Sequence, residues 1–196
     1  MDDEDIDDIV VTIGTNDLRN GFKHSLGSVH IYADWAMGNN EIPDEYLDDI
    51  CILKLKERVR DERIVPVSLK YDVLYVKQTV TLAGWGASDN DKTIPRFMET
   101  ISLPVQPMQE CNRKLEKIVD YKVVELPMLY LCTFTDPEAL LRCGDSGGPV
   151  LNENNELIAI NDATCPLENN HPGLVNLHVN VYFYKKFIEA TLRNEN

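Results

Sequence analysis

The segment Cys143-Gly144-Asp145-Ser146-Gly147-Gly148-Pro149-Val150 carries the strongest signal in this 196-residue chain, because it sets a serine between glycines just before a strand-like run. Nucleophilic catalysis by serine needs an exposed hydroxyl on a sharp turn, with backbone N–H groups aimed at the developing oxyanion. Glycine tolerates the dihedral angles that would turn the N–H groups of Gly144 and Ser146 into one small space. The pattern also fits a glycine-rich β-turn without chemistry, so its meaning depends on the rest of the chain.

The octet resembles the nucleophile loop of the chymotrypsin-like serine proteases, and two upstream segments strengthen that resemblance. Asp48-Asp49-Ile50-Cys51-Ile52-Leu53 is similar to the family strand whose leading aspartate orients the catalytic histidine, and Asp49 is the matching residue. Gly84-Trp85-Gly86 is similar to a family segment at the start of the second barrel, where the glycines allow close backbone approach. The resemblance implies that Ser146 is the nucleophile and that the N–H groups of Gly144 and Ser146 form the oxyanion hole.

The fold that the resemblance implies is all-β, a chymotrypsin-like double β-barrel with a C-terminal helix. The expected organisation is an acidic tail over 1–8 and a protease-like domain over 9–196, with a partial first barrel at 9–75 and the second barrel and helix at 76–196. The first barrel is expected to be incomplete, because the family's first strands have no counterpart here. Such a barrel cannot close and exposes an open strand edge. The apolar run 50–55 is predicted to be a strand buried on both faces.

Five cysteines are an odd number, which in a secreted β-protein suggests two bridges and one leftover thiol. The family resemblance implies a bridge between Cys111 and Cys132 and a second between Cys143 and Cys165. Cys143 directly precedes Gly144, whereas the family usually has one residue between the two, and disulfide geometry is specific. Cys51 is left over in the strand predicted to be buried.

A general base for Ser146 is missing from the expected place. The triad needs a histidine, and in the chymotrypsin type the chain order is His, then Asp, then Ser. His171 and His178 follow the serine, while His24 and His30 come after a strand that in the family follows the catalytic histidine. His30 resembles a non-catalytic histidine of the family, and none of the four is expected to act as the base.

Two explanations fit the missing histidine. The chain is the C-terminal portion of a longer serine endopeptidase and is inactive on its own, or it is a non-catalytic pseudo-protease that binds a protein partner. The family's Ile-Val-Gly-Gly mature N-terminus is also absent, so Asp145 is expected to be unpaired, which is costly for a buried charge. The first explanation is favoured because Ser146, Gly144 and Asp49 all remain, so the activity of the chain as an enzyme stays open.

The resemblance also indicates a substrate pocket. The family sets specificity with a residue six positions before the serine, which is Leu140, or Leu141 if one residue is deleted near Cys143. Either is apolar, so large apolar side chains are the expected substrates. The pocket wall, Ser-Trp-Gly in the family, is replaced by a segment that includes Asp162 and Ala163.

Composition narrows the range of expected binding partners. The net charge of −14 argues against nucleic acid, since phosphates would be repelled. No apolar run approaches the ~18 residues of a membrane span, and the N-terminus lacks the pattern of a signal peptide. We expect protein or peptide substrates and protein inhibitors as partners, with no membrane partner, no cofactor and no metal. The resemblance implies a secreted, extracellular location.

Overall fold

A computed structural model describes residue 6 and residues 8–44, 47–73, 75–87, 93–116, 125–165 and 174–194. The chain forms two compact units. Unit 1 comprises Met1–Pro66 and Tyr184–Asn196, and unit 2 comprises Val67–Phe183. The expected mostly-β fold with a C-terminal helix is confirmed.

Unit 1 is built on a small antiparallel sheet with the strand order β1-β2-β3. Its elements are β1 (Val10–Ile13), β2 (Phe22–Ile31), α1 (Tyr32–Gly38), β3 (Cys51–Leu55) and, from the end of the chain, α3 (Lys185–Asn194). An aromatic cluster joins the two helices: the Phe187 ring lies 5.6 Å from that of Tyr32 and 5.8 Å from that of Trp35. Helix α3 is amphipathic, and its Phe187 side chain is fully buried.

The prediction that β3 is buried on both faces is wrong. Cys51 is exposed, and 47% of Leu53 remains accessible. Burial on both faces requires a layer packed against each face of the sheet, and the described residues leave the face of Cys51 and Leu53 accessible. β3 is also an end strand, with β2 on one side only.

Unit 2 is a curled antiparallel sheet with the strand order β5-β4-β7-β8-β9-β6. Its elements are β4 (Thr79–Gly84), β5 (Glu99–Pro104), α2 (Met108–Glu116), β6 (Tyr130–Thr133), β7 (Pro149–Leu151), β8 (Leu157–Cys165) and β9 (Val175–Asn180). The two end strands approach each other just past β5, where Val105 bridges Thr133 and the Gln106 N–H donates to the Cys132 carbonyl at 2.9 Å. The curl encloses an apolar core whose fully buried members include Val80, Val150 and Ile158.

The disulfide between Cys111 and Cys132 is confirmed and ties α2 to β6. The predicted bridge between Cys143 and Cys165 is wrong, because Cys143 is an exposed free thiol. The Ala87 N–H donates to the Cys143 carbonyl at 2.9 Å, which fixes the backbone of Cys143 while its thiol lies at the surface.

Candidate active site

The 143–148 loop, which is predicted to carry the nucleophile, is a tight turn that leads into β7. Gly144 and Gly147 have φ angles of 99° and 81°, in the left-handed region that favours glycine. The Asp145 N–H donates to the Arg142 carbonyl at 2.9 Å, and the Gly148 N–H donates to the Asp145 carbonyl at 3.0 Å. These bonds place Ser146 at the tip of the turn, where it is exposed.

The hydroxyl of Ser146 is engaged by the neighbouring strand. Its Oγ donates a 2.8 Å hydrogen bond to the backbone carbonyl of Asp162 on β8. A hydroxyl has a single proton to donate, so this bond directs it to a weakly basic carbonyl. The resting serine is therefore not activated as a nucleophile.

The N–H groups expected to form an oxyanion hole are uncommitted. Within the described part of the chain, the N–H groups of Gly144 and Ser146 donate no hydrogen bond. By contrast, the Gly147 N–H donates to the Asn161 carbonyl at 2.8 Å. The two donors that a developing oxyanion would need are thus open, and the Cys143 N–H likewise has no partner among the described residues.

Asp145 is paired, contrary to expectation. Its carboxylate accepts the Gly86 N–H at 2.8 Å and the Arg142 N–H at 2.9 Å. A Cβ atom on Gly84 or Gly86 would collide with this carboxylate, so the close backbone approach predicted for the Gly-Trp-Gly segment is confirmed. The prediction of an unpaired charge is wrong, because backbone donors satisfy a carboxylate without any cation.

The histidines are placed as follows. His178 is fully buried on β9, and burial lowers its pKa to about 3. Its Nδ1 lies 3.0 Å from Asn161 Oδ1, and its Nε2 lies 3.0 Å from Thr133 Oγ1. Both ring nitrogens are therefore used, and His178 cannot take the proton of Ser146.

His24, His30 and the predicted orienting aspartate all belong to unit 1, whereas Ser146 belongs to unit 2. His30 is hydrogen bonded through Nε2 to Ser28 Oγ at 3.0 Å, within its own strand. Asp49 is exposed just before β3. His171 lies outside the described residues.

A buried polar network, which the sequence reasoning missed, lies beneath the loop. Asn176 on β9 accepts the Leu141 N–H at 2.8 Å through Oδ1, and it donates through Nδ2 to the Ala139 carbonyl at 2.9 Å and to Thr133 Oγ1 at 3.2 Å. Thr133 is hydrogen bonded in turn to His178, and His178 is hydrogen bonded to Asn161. The network connects the 139–141 segment to the strand that holds Gly147.

The hydrogen bonds of the network have one consistent assignment of donors and acceptors. Asn161 Oδ1 is an acceptor only, so His178 Nδ1 carries the proton, and Nε2 then accepts from the Thr133 hydroxyl. Asn161 Nδ2 is the end of the chain and has no partner within the described residues. Alternating polar residues at 176, 178 and 180 were the available signal, but on a strand that pattern usually indicates a solvent-facing row.

A cavity of about 360 Å³ lies between β4, β5 and the segment before the loop. Leu140, Leu141, Asp145 and Asn161 are among its lining residues. The other two predicted pocket residues, Asp162 and Ala163, lie on β8 and do not line it. The structure therefore brings the two leucines together beside the nucleophile loop, in a space that is partly apolar and partly acidic.

The described residues contain no group of three or more His, Cys, Asp or Glu side chains that could hold a metal ion. Among those same residues, no helix is long and apolar enough to cross a membrane.

Comparison with known proteins gives the same picture. The family model for trypsin matches residues 4–188. Serine proteinase stubble of Drosophila melanogaster is 25% identical over 108 residues, which is 54% of this chain but only 14% of that protein. The structure of neuropsin, a serine protease expressed in the limbic system of mouse brain, superposes with a TM-score of 0.75 at 18% identity, over 93% of this chain and 78% of that one. The fold is thus chymotrypsin-like, as the resemblance implied, and the chain belongs to the trypsin family.

Proposed function

We propose that this chain is a serine endopeptidase domain that is catalytically silent by itself. Ser146 is its nucleophile, and Asp49 orients a histidine that is not among the four of this chain. The observation that carries the proposal is the exposed Ser146 on a glycine-bounded turn, beside two uncommitted N–H groups. Gly144 and Ser146 are both exposed, so their N–H groups are accessible to the carbonyl oxygen of a bound substrate.

The reaction would proceed by acyl transfer. The Ser146 hydroxyl leaves the Asp162 carbonyl and gives its proton to the histidine, while Oγ attacks the peptide carbonyl carbon. The N–H groups of Gly144 and Ser146 stabilise the oxyanion, and the histidine then protonates the leaving amine. Water cleaves the acyl ester in a second step, which returns the proton to Ser146.

The paired state of Asp145 supports a silent but preformed loop. The family resemblance implies that a mature N-terminal amine pairs with this carboxylate. Here the Gly86 and Arg142 N–H groups already hold it, so the turn keeps its shape without that amine. We infer that activation depends on the histidine more than on rescue of an unpaired charge.

The substrates we propose are extracellular proteins or peptides with large apolar side chains at the cleaved position. Leu140 and Leu141 line the cavity beside the loop and would contact such a side chain. The same secreted setting agrees with the disulfide between Cys111 and Cys132.

A non-catalytic, protein-binding role is the second candidate. It is favoured by the hydrogen bond from Ser146 to Asp162 and by the burial of His178, which together leave unit 2 without a working base among its described residues. In this alternative, the loop survives as a structural turn and a partner binds elsewhere on the surface.

Labelling with a fluorophosphonate distinguishes the endopeptidase from the non-catalytic, protein-binding role. The chain itself should show no labelling of Ser146, and its Ser146→Ala variant is the control. A longer protein that supplies the histidine should be labelled at Ser146 and should cleave peptides after large apolar residues. Equal inactivity of that protein and its Ser146→Ala variant would leave the binding role. Stoichiometric labelling of the 196-residue chain would show that a base is present after all.

A further inference from the structure

Another cavity of about 360 Å³ lies in unit 1, between the end of β2 and the helices α1 and α3. Aromatic rings form much of its wall, because His30, Trp35 and Phe187 all line it. Trp35 is half-buried, with its ring packed against that of Phe187. A volume of this size is within the range of natural ligand pockets. The wall therefore suits a ligand group that interacts favourably with aromatic faces.

The cavity is separate from the open edges of the sheet. β2 is the middle strand, so a strand that completes the first barrel can add only beside β1 or β3. His30 is opposite Ile52 of β3. Because successive side chains of a strand point to opposite faces, this pair faces away from Cys51 and Leu53. A longer chain that covers those two residues would leave the His30 side of the sheet, and with it the cavity, accessible.

The cavity carries negative charge that nothing in its wall balances. Asp34 lines it and is exposed, and its carboxylate makes no hydrogen bond or ion pair with the described residues. Within the same part of the chain, no Lys or Arg lines the cavity. The last turn of α3 contributes Thr191 and Asn194, and the free carbonyl groups at a helix C-terminus carry partial negative charge. The cavity therefore favours a cation.

The polar groups of the wall select the kind of cation. Thr191 is only 6% exposed, and its hydroxyl has no hydrogen-bond partner among the residues that the structure describes, so it can accept an N–H. A guanidinium is planar, stacks on an aromatic ring such as that of Trp35, and donates to a carboxylate through two N–H groups. A quaternary ammonium has no N–H and would leave the oxygens of Asp34 and Thr191 unused.

We propose that this cavity binds the side chain of an arginine carried by a protein partner. The guanidinium lies over the ring of Trp35 and donates to the Asp34 carboxylate and the Thr191 hydroxyl. The aliphatic part of the arginine packs against Val29 and Phe187, as such stems do on apolar surfaces. The net charge of −14 favours the approach of a basic partner. No part of this binding uses Ser146, so the site goes beyond the proposed function.

The indole N–H signals of the two tryptophans measure this binding by NMR, and the Trp35→Phe variant identifies the signal of Trp35. Titration of the 196-residue chain with acetyl-Gly-Arg-Gly-amide should shift that signal with a dissociation constant on the order of 1 mM. The signal of Trp85, which lies in unit 2, should not shift. The same peptide with citrulline, an uncharged isostere of arginine, should bind at least about ten-fold more weakly. Equal binding of the two peptides overturns the proposal.

Two variants test the contacts. Asp34→Asn should weaken binding of the arginine peptide about five-fold, and Thr191→Val, which keeps the shape of the side chain, about two-fold. Glu62→Gln is the matched control, because Glu62 is an exposed carboxylate of unit 1 that does not line the cavity. Its binding should be unchanged. Equal weakening by Asp34→Asn and Glu62→Gln would reduce the effect to net charge and overturn the site.

Small cations test the source of the ligand. Choline should bind more weakly than the arginine peptide, and a tighter choline complex overturns the assignment of a guanidinium. Free arginine that binds more than about ten-fold tighter than the peptide would assign the cavity to a small molecule and overturn the protein partner. The Ser146→Ala variant should bind the peptide as the unaltered chain does. Failure of the cavity to bind arginine therefore leaves the proposed function untouched, and the reverse also holds.

Discussion

Lowering the pH should destabilise unit 2 through one histidine. Burial lowers the pKa of His178 to about 3, whereas an unfolded chain binds that proton near 6.5. Between these values the unfolded state holds more protons than the folded state, so stability rises with pH. The neutral His178 ring makes its full contribution to the free energy of unfolding above pH 6.5, and this contribution is lost as the pH falls toward 3.

The size of the effect follows from the same two values. One pKa unit is worth about 1.4 kcal/mol. At pH 5, about 1.5 units below the pKa of the unfolded chain, protonation of His178 stabilises the unfolded state by about 1.5 times that amount. We therefore expect a loss of about 2 kcal/mol between pH 7.5 and pH 5, or about a thirty-fold increase in the unfolding equilibrium constant. This is a large fraction of the stability of an ordinary domain.

Urea unfolding at the two pH values measures the loss, with the protein beside its His178→Gln variant. Glutamine can offer a donor to Asn161 and an acceptor to Thr133 but does not titrate, so the variant should lack about 2 kcal/mol of the pH dependence. The His24→Gln variant keeps His178 and should retain the full dependence. The reasoning fails if His178→Gln and the unaltered protein lose equal stability, or if the imidazole NMR signals of His178 titrate near pH 6.5.

Three further predictions concern the loop and its supports. Replacing both Cys111 and Cys132 by alanine should cost about 3 kcal/mol for a loop of this length, measured by urea unfolding, and a loss near zero would contradict the loop-closure account. Asp145→Asn should cost about 1–3 kcal/mol, because an amide N–H would face a backbone N–H, and an unchanged unfolding midpoint would show that the carboxylate is not held as described. Asn176→Ala should speed amide hydrogen exchange at Leu141 by freeing its N–H, whereas Asn180→Ala, another buried asparagine on β9, should not.

The sequence was most informative where the signal was contiguous. The turn around Ser146, the Gly-Trp-Gly segment and the family fold could be predicted because neighbouring residues specify a turn and its backbone angles. Distant partners could not be predicted in this way. The Gly86 N–H that satisfies Asp145 is 59 residues away, and only the folded sheet brings the two together.

Burial was also hard to predict from pattern alone. Asn176 and His178 alternate with apolar residues, as solvent-facing residues do, yet both are fully buried and satisfy each other through Thr133. Cys51 and Leu53 show the converse, an apolar run left exposed at a sheet edge. In each case the neighbouring strand decided the outcome, and period-two patterns do not identify that neighbour.

The carboxylate of Asp145 occupies the volume that side chains at Gly84 and Gly86 would need. In evolution, the residues at positions 84, 86 and 145 should therefore change together. A relative that acquires a side chain at either glycine must move or replace the acid, and a relative that replaces the acid relieves both glycines of their constraint. Substitutions at these positions should therefore occur together along a lineage, and the order in which they appear should begin with the loss of the acid.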